Sequence, residues 1–238
     1  TEYANFSGAT FTEYANFSGA TFTEYANFSG ATFTEYANFS EATFTQNANF
    51  FRAEFTEYAN FSEATFTEYA DFSGAEFTQN ANFSGATFTE YADFSGAEFT
   101  EASFSRAKFT RYADFSGAKF TQNANFFRAN FTEASFSRAN FTQNANFSAA
   151  NFTQNADFSA ATFEDKPKFE YTLDNKTYKA RFSYKTEPKD YNFEVSYDSP
   201  YKIETEEQEH NGVNFTIPKG ATLFDPDDLS EQEDNGDS

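Results

Sequence analysis

The chain has 238 residues, a formal net charge of −21, 37 Phe, 14 Tyr, a single His and no Cys, Met or Trp. Without Cys there is no disulfide framework and no thiolate site. No apolar run approaches the ~18 residues of a membrane span, and an aromatic bias this extreme directs the reading to repeats before anything else. Residues 1–163 carry 18 acids and 7 bases, and residues 164–238 carry 19 and 9, so both parts are acidic. Such a surface repels nucleic acid and anionic lipid and favours cationic partners or a salty medium, as in a salt-loving source.

In chain order, residues 1–11 read T-E-Y-A-N-F-S-G-A-T-F, and residues 12–22 and 23–33 repeat them identically. Phe recurs with alternating spacings of five and six, and thirty Phe continue to Phe163. At Phe99 to Phe104 and Phe131 to Phe136 a six becomes a five, because T-E-A-S-F replaces T-E-Y-A-N-F. A residue that can be dropped without losing register belongs at a corner. The unit is therefore a five-residue face with an extra residue at alternate corners. These spacings match neither the 3.6 nor the 2.0 side-chain period. A coil that turns after each unit places every Phe inside, together with the small Ala two residues earlier (Ala4 before Phe6, Ala9 before Phe11).

The units A-N-F-S-G at 4–8, A-D-F-S-G at 71–75 and A-D-F-S-A at 156–160 resemble the pentapeptide-repeat family. That resemblance implies a right-handed quadrilateral β-helix over residues 1–163. The sixth residue (Tyr3, Tyr14, Asn47 and equivalents) makes coils of 22 residues with swollen opposite corners. Thirty faces give about 7.5 coils, a rod of roughly 36 Å at ~4.8 Å per stacked strand. The chain opens at Thr1 inside a repeat and without Met. An absent preceding segment is expected, with an uncapped first coil that can accept another chain.

Residues flanking each Phe point outward. Phe51 and Phe127 stand where Ser is usual, each followed by Arg (Arg52, Arg128). They are contact-site candidates, with tolerated variation or stacking on a corner Tyr as the plainer reading. Arg106, Lys108, Arg111, Lys119, Arg128 and Arg138 cluster late in the rod. They are expected to offset Glu on adjacent coils rather than to form a binding patch. T-F-T (Thr10–Thr12, Thr21–Thr23, Thr32–Thr34) is similar to ice-binding solenoid faces, but Glu at 54, 76 and 98 and Lys at 108 and 119 interrupt it. Asn5, Asn16, Asn27, Asn38, Asn60, Asn82, Asn130, Asn140, Asn146, Asn151, Asn175 and Asn214 open N-x-S/T sequons, glycan acceptors if the chain is secreted. The repeat pattern accounts equally for those in the rod.

After Phe163 the apolar alternation has period 2: Phe169/Tyr171/Leu173, Tyr178/Ala180/Phe182/Tyr184, Tyr191/Phe193/Val195/Tyr197, Tyr201/Ile203 and Val213/Phe215/Ile217. This predicts four to six antiparallel strands over 164–224, with a hairpin turn at Asp174-Asn175, forming a small domain that covers the last coil. Residues 225–238, with seven acids and no base, read as a disordered acidic tail. Asp225, Asp227 and Asp228 match no calcium-loop spacing.

No nucleophile–base pair, phosphate loop or metal spacing is present, and His210 falls in a polar stretch expected to be an exposed loop. The expectation is a non-enzymatic structural or assembly rod, a spacer, surface or filament component acting through end-to-end or lateral contacts. It has no cofactor, nucleic-acid partner or small-molecule substrate. Self-association or another protein is the expected partner, with an extracellular or cell-surface setting preferred over the cytoplasm. The family resemblance implies an alternative, an acidic module that binds type II topoisomerases by imitating duplex DNA.

Overall fold

A computed structural model describes residues 3–228. Residues 3–163 wind as a parallel-strand solenoid of about 7 turns. Each face contributes a very short strand that pairs in parallel with the equivalent strand one coil on. Ala4 and Asn5 lie beside Ala26 and Asn27, and Thr10 and Phe11 beside Thr32 and Phe33. Among the described residues the strands join into two large parallel sheets of 16 and 13 strands.

Four Phe columns fill the interior, headed by Phe6, Phe11, Phe17 and Phe22. Within a column the rings stack nearly parallel at the coil spacing, as for Phe33 and Phe55 (4.8 Å, 0°). Between columns they meet edge to face, as for Phe28 and Phe39 (5.3 Å, 87°). Edge-to-face and offset contacts suit the ring quadrupole, so one residue type fills the whole section without mismatched shapes. Ala beside each Phe is fully buried over most of the rod (Ala26, Ala59, Ala92, Ala124). Only a methyl group fits where the wall meets the ring stack.

The corners alternate between two kinds. After the Phe6 and Phe17 columns the chain makes a tight turn, in which Ala9 N–H donates to Phe6 O (3.0 Å) and Gly8 has φ +65°. A positive φ at the third turn residue defines a type II turn and explains the glycine. The other two corners carry the sixth residue. Where it is missing, Asn82 pairs with Ser103 and Asp114 with Ser135, and the register slips only between Phe77 and Asn80 and between Phe109 and Tyr112. The dropped residue is thus absorbed at a corner, and the Phe columns continue unbroken.

The C-terminal region has the expected small antiparallel sheets and, beyond them, parallel strands. Two antiparallel hairpins are present, Glu170–Leu173 with Lys176–Lys179 and Thr205–His210 with Val213–Pro218. Asp174 and Asn175 form the first turn, both at positive φ (48° and 63°), as a two-residue hairpin requires. Three other strands pair in parallel instead: Arg181–Ser183 on Asn151–Phe152, Tyr191–Asn192 on Ala156–Asp157, and Thr222–Phe224 on Arg181–Ser183. Phe169, Phe182 and Phe193 extend three of the Phe columns by stacking on Phe147, Phe152 and Phe158. The apolar alternation in this region is compatible with either strand direction. The open edge of the last regular coil offers a parallel template, and that template sets the direction. Residues 164–224 therefore cap the rod by adding a further coil to it, with hairpins inserted at its corners.

Asp225–Asp228, expected to belong to a disordered tail, are held in place. Tyr184 Oη donates to Asp225 Oδ2 (2.9 Å), and Lys185 pairs with Asp225 (2.5 Å) and Asp227 (2.6 Å). These contacts tie Asp225–Asp228 to the cap. Residues 229–238 of that expected tail lie outside the described residues.

Candidate interaction surfaces

Because each coil stacks in register on the next, the outward side chains also form columns. Tyr residues at the wide corners stack as Tyr14–Tyr36–Tyr58 and as Tyr69–Tyr91–Tyr112, with centroids 5.1–5.3 Å apart. Beside them runs the residue that precedes Phe. Where it is Asn, its Nδ2 donates to the Tyr hydroxyl of the coil before, as Asn49 does to Tyr25 (2.9 Å) and Asn82 to Tyr58 (3.0 Å). Where it is Asp the proton runs the other way. Tyr69 donates to Asp93 (3.0 Å) and Tyr91 to Asp114 (3.1 Å). Burial first, and the neighbouring carboxylates second, push the Tyr69, Tyr91 and Tyr112 phenols above their ordinary value of 10.0.

The same Asn and Asp residues cap the tight turns. Their Oδ1 accepts the backbone N–H two residues on, as from Ser7 to Asn5, Ser18 to Asn16, Ser29 to Asn27 and Ser148 to Asn146 (each 3.0 Å). At Asn38, Asn60 and Asn82 the Nδ2 atom that a glycan would occupy also bonds to a Tyr hydroxyl. Asn151 is only 8% exposed and donates to Asn130 (2.6 Å). Asn140 is exposed on the opposite face. Asn175, in its hairpin turn, and Asn214, on its strand, are exposed and outside the repeat ladders.

These side-chain ladders depend on one residue pattern recurring along the chain. A family model described as pentapeptide repeats (9 copies) matches residues 1–43, 28–76, 50–98, 61–108, 83–129 and 104–151, which together span most of the rod. The chain belongs to the pentapeptide-repeat family. Neither the curated proteins nor the solved structures contain a match to it. Pentapeptide-repeat solenoids are generally non-catalytic.

In this pentapeptide-repeat rod, charge is sorted by face. Carboxylates gather around the tight corner between the Phe6 and Phe11 columns. Asp71, Asp93 and Asp114 stack on one side of it and Glu54, Glu76 and Glu98 on the other, with Glu68 and Glu90 at the adjoining wide corner. Arg111 pairs with Glu90 (2.5 Å) and Lys119 with Glu98 (2.5 Å), closing the acidic patch at its cap-proximal end. The Phe22 face is different. Its Thr21, Thr43, Thr65 and Thr87 form an uncharged column, so the Glu residues that interrupt the T-F-T pattern all fall on the Phe11 face.

The two F-F-R-A sites lie at different tight corners and have different surroundings. Phe51 is 40% exposed, with Arg52 over its ring at 5.0 Å. Phe127 meets Tyr178 of the first cap hairpin edge to face (5.4 Å), and Arg128 lies over both rings. Its partner is thus a cap tyrosine and not a corner tyrosine of the repeats. This tyrosine follows the repeats, so no repeat pattern signals it.

The basic cluster also divides. Arg111 and Lys119 neutralise Glu on adjacent coils as expected. Arg106, Lys108 and Arg128 instead line a groove of about 450 Å³ beneath the cap, which Arg181 completes. The rod interior is filled, and this groove lies outside it, at the junction with the C-terminal region. His210 is not in a loop: it ends a strand and stacks on Tyr184 (3.6 Å between centroids). Among the described residues no group of His, Cys, Asp or Glu is placed to hold a metal ion, and no helix is long and apolar enough to cross a membrane.

Proposed function

We propose that the chain is a non-enzymatic assembly rod that engages a cationic protein surface laterally, through the acidic face around Asp71, Asp93, Glu76 and Glu98. The observation that carries this reading is the sorting of charge. Eight carboxylates and one arginine, Arg52, share one corner region over a few coils, leaving it strongly acidic, while the Phe22 face opposite the Phe11 column is neutral there. A solid Phe core holds these columns rigid, so little ordering entropy is lost on binding. Fixed like charges facing water raise the local potential and favour a cationic partner.

The topoisomerase-binding alternative has one feature in its favour, the continuity of these stacked acids. The short extent of the patch counts against it. Duplex DNA carries one charge per ~1.7 Å of axis along its whole length. Here three columns each carry one acid per coil of roughly 4.8 Å, a local density close to that of DNA, but the patch spans only a few coils and Arg111 and Lys119 end it. A short basic segment fits this surface better than a protein groove shaped for DNA.

The test is binding of an oligolysine peptide at physiological salt. The triple variant Glu76→Gln, Asp93→Asn, Glu98→Gln is compared with Glu13→Gln, Glu35→Gln, Glu57→Gln, which removes equal charge elsewhere. Selective loss in the first variant supports the acidic face as the site. Equal loss in both means diffuse attraction to an acidic protein and removes the proposal.

A further inference from the structure

The groove beneath the cap has a composition opposite to that of the whole chain. In a protein of net charge −21, four cationic side chains (Arg106, Lys108, Arg128 and Arg181) and, among the described residues, no carboxylate line it. A second basic cluster, at Lys166, Lys202 and Lys219, lacks this character, because Glu204 sits within it and pairs with Lys166 (3.0 Å).

The groove walls are held in place. Arg181 lies over the Phe224 ring (4.6 Å), and its Nε donates to Asn151 Oδ1 (2.8 Å). Asn151 Nδ2 in turn donates to Asn130 Oδ1 (2.6 Å). Arg128 is stacked against Phe127 and Tyr178, at 5.2 and 5.4 Å. Stacking uses the face of a guanidinium and leaves its edge donors for in-plane acceptors. The Arg128 Nε is buried and has no hydrogen-bond acceptor among the described residues. A buried charged donor without an acceptor is costly and calls for one. Thr132 and Thr153 add hydroxyls to the same wall.

We propose that this groove binds a small oxyanion of the phosphate or sulfate class. Forked guanidinium donors and a lysine ammonium are the groups that recognise tetrahedral oxyanions. A groove of about 450 Å³ is too small for an anionic membrane surface or a nucleic-acid backbone, whereas a small free dianion fits within it. The site joins two parts of the chain, since Arg181 belongs to the cap strand that pairs on Asn151–Phe152. Bound anion therefore links cap to rod.

Calorimetric titration of the full chain with inorganic phosphate, and separately with sulfate, at low ionic strength tests this. A single saturable site is expected. Lys108→Gln and Arg128→Gln should each weaken it by about tenfold or more, while Lys119→Gln on the opposite face leaves it unchanged. Lys108 is exposed, and Thr87 and Asn130 occupy its column in neighbouring coils, so Lys108→Gln keeps the test meaningful if Arg128→Gln misfolds. No saturable heat, or equal weakening by all three substitutions, overturns the proposal.

Discussion

At the tight corners a single dihedral angle sets the sequence. Gly8, Gly30, Gly74 and Gly96 hold φ between 61° and 65°. Glu41, Arg52, Glu63, Arg106, Arg128 and Arg138 adopt the same left-handed conformation without being glycine, at a cost of roughly 1 kcal/mol each. Charges are thus placed at turns where glycine would be more stable, which fits their use on the surface. Nothing lies within 4 Å of a Cβ built at Gly96, so Gly96→Ala probes the dihedral alone. It should lose about 1 kcal/mol in urea unfolding, and Glu41→Gly should gain a similar amount. The tyrosine ladders give a second residue-scale expectation. Folded-state phenol values raised by burial and Asp neighbours mean that the unfolded chain releases those protons first. Their contribution to stability is complete below pH 10 and is lost as pH rises through the folded values. Absorbance titration should show Tyr69 and Tyr91 ionising only with alkaline unfolding, and Asp93→Asn with Asp114→Asn should bring that ionisation to lower pH.

At the scale of the coil, stability resides in the Phe columns. Phe94 is fully buried and touches rings above, below and across the axis. Phe94→Ala should cost about 3–5 kcal/mol, measured by chemical denaturation. Nearest-neighbour stacking also predicts that removing the 22 residues 45–66 leaves a folded rod, because Phe44 then precedes Thr67 in unchanged register. The denaturant slope should fall in proportion to the surface removed. The coil was legible in the sequence because its signal recurs thirty times, and the two dropped residues revealed which positions are corners. The two antiparallel hairpins of the cap were legible, but the direction of its three parallel strands was not. Phe182 and Tyr191 show the alternation of any half-buried strand, and only the preceding coil, at Asn151–Phe152 and Ala156–Asp157, dictates parallel pairing. The groove was hidden for a related reason. Arg181 lies far along the chain from Arg106 and Lys108, and no local spacing connects them.

For the whole molecule, the rod and the cap share one ring stack, and this continuity underlies both surface proposals. The acidic face depends on register within the rod, and the cationic groove depends on register across the end of the repeats. The four repeat columns predicted from the sequence are present, but three of them run past Phe163 into residues that carry no repeat motif. The chain contains no Cys, so paired cysteines can report register without interference. Ser137 and Ser159, whose hydroxyls lie 3.0 Å apart, give a reference pair inside the rod. Asp157 and Asn192 are parallel partners across the boundary. Neighbouring strands lie ~4.8 Å apart, within the Cα separation that a disulfide tolerates. The most direct measurement is oxidation of Asp157→Cys/Asn192→Cys beside Ser137→Cys/Ser159→Cys, read by mass spectrometry of peptic fragments. Efficient cross-linking of both pairs, with none for Asp157→Cys/Tyr197→Cys, is the predicted result. Cross-linking inside the rod alone would mean that the C-terminal region is a separate unit and would contradict the continuous core.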